Sequence, residues 1–425
     1  MKFLPSNSII VRITPKIAII TAALLPAILV VSSLSSDLYG FGILSGWLGT
    51  GLISASLLLM IREPFWTAWW GGLQCMYQWH HRMGMAGYVL LLTHPLFLAS
   101  RYLELDLDTA WEFLSPFNSD LLNKMGWIGL IVFMLGLVAT FSLRLSYSVW
   151  RRLHLLLVLA MLIGLGHIAI AGGFSVSLAV TLLMSGIAVS WRLVRSDYGI
   201  GAFPYEVNAV SHPSEHITEV ALRPLGKPLG IAQGQFVNAA FFEGPHFQGC
   251  SEFHPYTVSK FTEDGSLSLS IKALGNCTQH IQLLEPGVAV RLQGPYGTFL
   301  LDRPSSAEIW IAGGIGITPF LALLRSYPVM QKTDLVYVHR EHEQVPYEQE
   351  LQAYATVQAE LQVHSLIMEN DSMLLFAWLA NIDELKQRQI YLCGPPLLIT
   401  KVTSWLQEQG VPEQQIHFEQ FDFRS

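Results

Sequence analysis

Charged residues are scarce in this sequence: they make up only 13% of its 425 residues, against about 25% in an ordinary soluble domain. Hydrophobic residues make up 51%, so we expect part of the chain to lie in lipid. Basic residues are also few, since 25 Lys and Arg stand against 32 Asp and Glu and give a net charge of −7. A nucleic-acid-binding protein needs a basic face, so that class is excluded.

Cysteine is rare as well. The spacing of the four cysteines supports neither a disulfide scaffold nor a cysteine-based zinc or iron–sulfur site. Cytosolic exposure of the soluble parts fits this pattern. The four residues are Cys75, Cys250, Cys277 and Cys393.

Long apolar stretches are confined to the first half of the chain. Each is near the length of about 20 residues that spans a bilayer core, and none recurs after Asp197. The first could be mistaken for a secretion signal, but it lacks a cleavage pattern and contains Pro26, so we predict an uncleaved helix. The six stretches are 17–34, 43–61, 83–100, 126–143, 153–171 and 176–191.

The basic residues that flank these stretches predict the orientation. Ten Lys and Arg lie at the N-terminus and after the second, fourth and sixth helices, whereas only Arg101 and Lys124 lie on the other side. Because basic loops stay in the cytoplasm, we expect both termini and residues 198–425 to be cytoplasmic. The segment 101–124 is then the largest exoplasmic loop.

Five of the 14 histidines fall in the apolar half. An ionisable ring within a spanning helix is a functional-site candidate. His81 and His94 are 13 residues apart on the third helix, and His154 and His167 repeat that spacing on the fifth. Paired across the helices, they form two levels separated by roughly 20 Å. Each level suits an iron porphyrin held by one imidazole from each helix.

Helical phase leaves the inner ligand of the third helix open. Thirteen residues leave two side chains some 140° apart on an ideal helix, whereas fourteen leave about 40°, which favours His80 with His94. Pro95 and nearby glycines allow local rewinding, and the fifth helix has no fourteen-residue option. We therefore predict His81 and keep His80 as the alternative.

After residue 197 the pattern changes to short β-type runs and then to alternating strands and helices. The runs 216–222, 235–241, 267–271 and 288–292 predict a small antiparallel barrel. From residue 307 the alternation predicts a parallel, doubly wound sheet with its ligand at the carboxyl ends of the strands. The predicted domains are 1–197, 198–302 and 303–425.

Two strand ends of the α/β region carry glycine-rich motifs. The turn 312–319 contains Gly313, Gly314 and Gly316, which let the backbone approach phosphates at a helix N-terminus. The second strand end is Cys393-Gly394-Pro395. Arg340 stands at the end of the second predicted strand of the sheet, 334–339, where an arginine can accommodate a 2′-phosphate. Glu341 beside it opposes this, so NADPH is moderately preferred.

Two barrel segments carry groups that suit a flavin. The run 254–259 places an aromatic ring and hydroxyls on a strand, and the run 271–278 supplies a cation, a glycine and a hydroxyl. A flavin ring is bound by stacking and by donors to its nitrogens, and its pyrophosphate by a cation and backbone N–H groups. The alternative is that the tyrosine belongs to the barrel core.

The chain resembles the ferric reductase and NADPH oxidase superfamily over essentially its whole length. The motif His254-Pro255-Tyr256-Thr257 matches the family's FAD-binding strand, and Lys272 stands where an arginine is common. The other matching segments are 272–278, 294–297, 313–319 and 393–395.

The resemblance implies a six-helix transmembrane domain with two b-type haems, an antiparallel FAD-binding β-barrel and an α/β NAD(P)H-binding domain. Its haem ligands are His81, His94, His154 and His167. The catalytic residues that the resemblance implies are Thr257, Cys393 and Phe423. Phe423 belongs to the aromatic tail 417–423 and is expected to cover the flavin face. The alternative is that this tail is a last β-strand with phenylalanines in the core. The cofactor-binding residues are His254, Pro255, Tyr256, Thr257, Ser259, Lys272, Gly275, Thr278, Gly313, Gly314, Gly316, Thr318, Pro319, Arg340, Cys393, Gly394 and Pro395.

The implied function is electron transfer from cytoplasmic NAD(P)H through FAD and the haems to an exoplasmic acceptor, with ferric reductase as the working label. Reduction of oxygen to superoxide is an alternative, and Leu98 argues against it because animal NADPH oxidases have a further histidine at that position. Two further alternatives remain. One is an electron-transfer subunit that feeds a periplasmic partner, and the other is a transporter with a nucleotide-sensing domain. We expect a bacterial inner-membrane location, and no protein partner is indicated.

Overall fold

The computed structural model describes residues 9–141, 145, 147–339, 345–367 and 373–420. The chain separates into two compact units. The first contains the described residues up to Arg62 and the segment Gln74–Leu193. The second contains the segment Glu63–Leu73 and the described residues from Val194 onward.

Six helices of the described chain are long and apolar enough to cross a membrane, which confirms the predicted helical bundle. Their bounds are α1 (Ile9–Val31), α2 (Leu38–Leu58), α4 (Leu73–Leu103), α6 (Leu121–Phe141), α7 (Tyr147–Gly172) and α8 (Val176–Trp191). Two short helices interrupt the connections, α3 (Pro64–Trp70) and α5 (Leu107–Leu114).

Small residues let the spanning helices approach closely. A Cβ added at Gly49 of α2 would lie 2.9 Å from the Gly87 carbonyl oxygen of α4, and one added at Gly87 would lie 2.9 Å from the Gly49 carbonyl oxygen. Only glycine at both positions allows this backbone contact, as is typical of helix packing in membranes. The contact fixes α4, which carries three of the histidines, against α2.

The second unit begins with a closed antiparallel barrel of strand order β1-β2-β5-β4-β3-β6. Alternate residues of each strand fill its interior, such as Val237 and Phe241 of β3 and Leu269 of β5. The strands are β1 (Phe203–Ser214), β2 (Ile217–Pro224), β3 (Phe236–Phe241), β4 (His254–Phe261), β5 (Leu267–Lys272) and β6 (Ala289–Tyr296), with α9 (Asn276–His280) after β5.

A five-stranded parallel sheet of order β11-β10-β7-β8-β9 follows the barrel. Its strand order reverses between β7 and β10, and this switch point is where such sheets bind ligands. The strands are β7 (Glu308–Gly313), β8 (Thr333–His339), β9 (Leu361–Ile367), β10 (Gln389–Gly394) and β11 (Ile416–Gln420); the helices are α10 (Thr318–Ser326), α11 (Glu348–Val357), α12 (Met373–Ala380) and α13 (Pro396–Glu408).

The cysteines depart from the expectation drawn from their spacing. Cys250 and Cys277 form a disulfide, and their Cα atoms lie 5.6 Å apart. The two residues are 27 positions apart in sequence and meet because the loop after β3 approaches the turn after β5. Sequence spacing alone does not predict this contact. Cys75 and Cys393 are free thiols.

A buried arginine joins the barrel to the parallel sheet domain within the second unit. Arg325, at the end of α10, pairs with Glu219 of β2 and, at 2.7 Å, with Glu350 of α11. Its Nη1 also donates to the carbonyl oxygen of Ser259 on β4. The side chain is only 11% exposed, so removing it would leave two carboxylates without their partner.

We predict that Arg325→Met destabilises the second unit by about 3 kcal/mol, because a buried charge is left uncompensated. The thermal midpoint of that unit, measured by calorimetry on the full chain in detergent, is expected to fall by several degrees. Arg223→Met is the matched control, since Arg223 pairs with Glu206 but its side chain is 56% exposed; its effect should stay within about 0.5 kcal/mol. Equal shifts for the two variants would contradict the prediction.

Candidate functional site

Two histidines face each other at one level of the membrane unit. The ring centroids of His94 on α4 and His167 on α7 lie 6.5 Å apart. The Nδ1 atom of His94 lies 2.7 Å from the Gly42 carbonyl oxygen, and that of His167 lies 3.0 Å from the Leu122 carbonyl oxygen. Because a carbonyl only accepts, each Nδ1 carries the proton and donates it, which leaves Nε2 as the acceptor nitrogen.

A second pair has the same design. The ring centroids of His80 and His154 lie 6.4 Å apart. The Nδ1 atom of His80 lies 2.9 Å from the Ser56 carbonyl oxygen, and that of His154 lies 3.0 Å from the hydroxyl of Thr140. All four rings are therefore oriented through one nitrogen by a neighbouring helix.

At the inner level the structure places His80, the alternative to His81, opposite His154. The His81 ring instead packs edge-on against Phe141, with a centroid distance of 5.8 Å. The helix α4 continues without interruption from Leu73 to Leu103 despite Pro95. Helical phase therefore decides the pairing, and a spacing of fourteen residues places His80 and His94 on nearly the same face.

The separation of the paired rings fits a metal bound between them. Two imidazoles that bind the same metal ion from opposite sides, each at about 2 Å, have ring centroids roughly 6 to 6.5 Å apart. Among the residues that the structure describes, no group of three or more His, Cys, Asp or Glu side chains is placed to hold a metal ion. The donor set of each pair, one imidazole from each of two helices, is one that haem iron takes in proteins.

Glycines lie against the outer rings. A Cβ added at Gly46 of α2 would lie 2.8 Å from the His94 Nδ1 atom, and one added at Gly126 of α6 would lie 3.2 Å from His167 Cε1. A side chain at either position would displace the ring that it meets. The neighbouring helices are thus shaped around the histidines as well as hydrogen-bonded to them.

In the second unit, a cluster of side chains lies on the outer face of β3 and β4. Thr257 is directly opposite Phe236 in the register of these strands, and Asn238 is opposite Pro255. The Oγ1 atom of Thr257 and the Nδ2 atom of Asn238 are buried and have no hydrogen-bond partner in the described part of the chain. Buried polar atoms without a partner indicate a ligand. Both atoms can donate a hydrogen bond, as the ring nitrogens of a flavin require. Gly297 lies between Phe236 and Glu419, since a Cβ added there would be 3.2 Å from each side chain. We call Phe236, Asn238, Thr257, Gly297 and Glu419 the flavin cluster.

Two predicted flavin residues lie elsewhere. The Tyr256 ring belongs to the barrel core and contacts Phe241 at a centroid distance of 6.2 Å, so burial raises the pKa of its hydroxyl. Ser259 is fully buried, and its hydroxyl donates to Glu219 at 2.9 Å. Tyr256 lies on the face of β4 opposite to Thr257, and the Ser259 hydroxyl is already bonded to Glu219, so Thr257 is the one of these three residues that we place in the flavin cluster.

The other predicted barrel residues lie at the ends of β4 and β5. His254 begins β4 half-buried, with its Nε2 atom 3.9 Å from a Glu252 carboxylate oxygen. Lys272 ends β5. Thr278 organises the turn that follows, because its hydroxyl accepts from the Gly275 N–H at 2.9 Å. This turn is the predicted phosphate segment.

The two glycine-rich strand ends meet at the switch point of the sheet. A Cβ added at Gly316 would lie 2.1 Å from the Cys393 carbonyl oxygen, and one added at Gly313 would lie 2.9 Å from Cδ of Pro395. Gly314 has a φ of +54°, a conformation that favours glycine. Gly394 lies against Gly313, and Thr318 and Pro319 begin α10 fully buried. The sequence prediction that these motifs share one site is geometrically consistent.

Glu419 is a functional candidate that the sequence argument missed. It pairs in register with Cys393 across β11 and β10, and its Oε1 atom lies 3.2 Å from the position of a Cβ added at Gly297. Its Oε2 atom is buried and has no hydrogen-bond partner among the described residues. Burial raises the pKa of Glu419 to about 8 and that of the buried Cys393 thiol well above its ordinary value. Both groups are thus neutral at pH 7.

Two predicted residues, Arg340 and Phe423, lie outside the described residues. The signal that could have located Glu419 is its place in the final strand, two residues before Phe421. Parallel pairing with β10 brings that strand beside the Cys393 motif.

Comparison with known families divides the chain into three parts. Residues 45–165 match the family described as ferric reductase like transmembrane component. Residues 206–300 match the oxidoreductase FAD-binding domain, and residues 310–404 match the oxidoreductase NAD-binding domain. The three matches lie in the helical region, the barrel and the parallel sheet, respectively.

Curated relatives share parts of the chain. The toluate 1,2-dioxygenase electron transfer component of Pseudomonas putida is 27% identical over 206 residues, 45% of this chain and 59% of that protein. NADPH oxidase 1 of Rattus norvegicus is 30% identical over 123 residues, 28% of this chain and 21% of that protein. The match thus spans less than two thirds of either relative.

Among solved structures, the flavohemoglobin of Malassezia yamatoensis, with bound FAD and heme, aligns with a TM-score of 0.50. It is 15% identical, and the alignment covers 92% of this chain and all of that one. At this identity the likeness concerns the fold alone.

The raised pKa of Glu419 predicts a pH dependence of stability. An unfolded glutamate titrates near 4.5, so the folded state holds the proton more tightly, and its stabilising contribution is lost as pH rises through about 8. We expect the thermal midpoint of the wild type to fall relative to Glu419→Gln between pH 6 and pH 9. Parallel pH profiles for the two FAD-free proteins, measured by calorimetry, would contradict the assignment.

Proposed function

We propose that this chain, which belongs to the ferric reductase and NADPH oxidase superfamily, is a transmembrane oxidoreductase. It takes electrons from NAD(P)H and delivers them to an acceptor on the opposite side of the membrane. The working label is ferric reductase.

The observation that carries the proposal is the pairing of imidazoles at two positions along α4 and α7. In each pair the Nδ1 atoms are held by backbone carbonyls or a hydroxyl, and the ring centroids are 6.4 or 6.5 Å apart. Packing alone does not require a repeated arrangement in which every ring keeps Nε2 for a ligand. Two b-type haems account for it.

We propose His80 with His154 as one haem-binding pair and His94 with His167 as the other. Hydrogen bonds to Nδ1 fix the tautomer and increase the basicity of Nε2, as in other histidine metal sites. Bound FAD would supply the conversion between a two-electron donor and one-electron acceptors, and haem held by the two histidine pairs would supply those one-electron acceptors.

The flavin cluster and the two glycine motifs supply the rest of the chemistry. Thr257 and Asn238 offer buried donors to the flavin ring. Gly313, Gly314 and Gly316 allow the nucleotide pyrophosphate to approach the N-terminus of α10. Glu419 holds a proton on its carboxyl group at neutral pH, so it can donate a hydrogen bond where a carboxylate could not.

We also propose which residues select the nucleotide and which residue covers the flavin. Arg340 is proposed to favour NADPH over NADH through the 2′-phosphate, and Phe423 to cover the flavin face. Cys393 is proposed to contact the nicotinamide, together with Gly394 and Pro395.

Location and orientation are proposed from the basic residues. With both termini in the cytoplasm, the second unit meets the cellular NAD(P)H pool. A bacterial inner membrane is the proposed site, with domains at 1–197, 198–302 and 303–425.

The inner ligand is tested by a matched pair of variants. His80→Ala should lose about half of the haem bound per chain, because one iron loses an axial ligand. His81→Ala, one residue along the same helix, should keep full haem content. Pyridine haemochrome assay of the purified proteins measures both. Haem loss from His81→Ala alone would reverse the assignment.

The direction of electron transfer is tested in sealed vesicles. Impermeant NADPH added outside reaches only chains whose second unit faces outward. We expect reduction of a ferric chelate trapped inside, detected with an Fe(II) indicator, and loss of this reduction in His94→Ala. Cytochrome c trapped with and without superoxide dismutase reports superoxide in parallel. Reduction of iron only in the compartment that contains NADPH would contradict the proposal.

A further inference from the structure

The disulfide between Cys250 and Cys277 connects two segments of the flavin-binding barrel. Cys250 lies in the loop after β3, four residues before His254 begins β4. Cys277 lies in α9, next to Thr278, whose hydroxyl accepts from the N–H groups of Leu274 and Gly275. The bridge therefore encloses β4 and β5 in one covalent loop.

Each cysteine belongs to a segment whose base is already anchored. Beside Cys250, the Ser251 N–H donates to the Phe241 carbonyl oxygen at 3.1 Å. Before Cys277, the Ala273 N–H donates to the His216 carbonyl oxygen at 2.9 Å. The bridge joins the outer parts of these segments, so its state affects how freely the turn at 275–278 opens away from the barrel.

We propose that Cys250 and Cys277 form a reversible thiol–disulfide site that controls how long the barrel retains FAD. The oxidant is a low-molecular-weight disulfide such as glutathione disulfide. The disulfide form holds the phosphate turn closed, and the dithiol form lets it open. The inference rests on the proposed function, because it requires FAD in the barrel.

Accessibility and compartment favour a reversible site. Both cysteines are half-buried, whereas Cys393 is fully buried. Their Cα separation of 5.6 Å allows the bond without movement of the backbone. Disulfides are rare in the cytosol, and those that form there are usually transient and redox-sensing. A pair on the cytoplasmic unit is thus placed to exchange with the cellular thiol pool.

The exchange is balanced in two steps. The Cys250 thiolate attacks one sulfur of glutathione disulfide, forms a mixed disulfide and releases one glutathione thiolate. The Cys277 thiolate then attacks the Cys250 sulfur, forms the protein disulfide and releases the second glutathione thiolate. Two cysteine thiols are oxidised, one glutathione disulfide is reduced to two thiols, and the cysteine protons pass to solvent or to the released thiolates.

The test uses the purified full chain with FAD in detergent, equilibrated in glutathione buffers from reducing to oxidising. Alkylation and peptide mass spectrometry count the free thiols at Cys250 and Cys277. Dilution then starts FAD release, which is followed by the rise in flavin fluorescence. We expect release to be roughly five- to tenfold slower from the oxidised protein, since the bridge restricts local opening.

The serine variants separate the bridge from general redox effects. Cys250→Ser, Cys277→Ser and the double variant should release FAD at the fast rate in every buffer. Cys75→Ser is the control and should keep the wild-type difference, because Cys75 is a free thiol on α4. Full alkylation of both cysteines in the most oxidising buffer would overturn the proposal, as would equal FAD release from bridged and reduced wild type.

The outcome also distinguishes this inference from the proposed function. A chain that binds FAD equally in both thiol states refutes the switch and leaves the electron-transfer proposal standing. A chain that binds no FAD in any buffer refutes both the flavin assignment and the retention proposal, even if alkylation shows the bridge forming.

Discussion

An imidazole inside a bilayer has two ring nitrogens and no water to satisfy them, and this constraint organises the membrane unit. Each of the four facing rings meets it in the same way, with Nδ1 hydrogen-bonded to a neighbouring helix and the partner ring at a centroid distance of 6.4 or 6.5 Å. The tethers come from α2 and α6, which also supply glycines against the outer rings. The packing of α2 and α6 against the rings therefore also fixes the orientation of the histidines.

In the second unit, two predicted binding regions lie within one compact unit. Parallel strands β7 and β10 bring the glycine turn into contact with the Cys393 motif, and β11 adds Glu419 to the same edge. Arg325 ties that sheet domain to the strand that carries Thr257, through the Ser259 carbonyl oxygen. Flavin-side and nucleotide-side residues thus share one framework.

Much of this was accessible from the sequence, because long apolar runs and alternating strand–helix patterns report burial directly. The six helices, the barrel and the parallel sheet were predicted. Strand β9 was missed because Gln362, His364 and Ser365 interrupt its apolar pattern at the edge of the sheet. The prediction of His81 assumed rewinding at Pro95, whereas helical phase favours His80, and the ring that lies opposite His154 is that of His80. The bridge from Cys250 to Cys277 and the burial of Glu419 depend on contacts between distant segments, which spacing does not contain.

The central claim is that two pairs of imidazoles each bind one haem iron inside the membrane. The most direct test is the haem stoichiometry and low-temperature electron paramagnetic resonance of the purified chain, expressed with ample haem. The account predicts two haems per chain, both low-spin with two axial imidazoles. A colourless protein, a single haem per chain or a high-spin iron would contradict it.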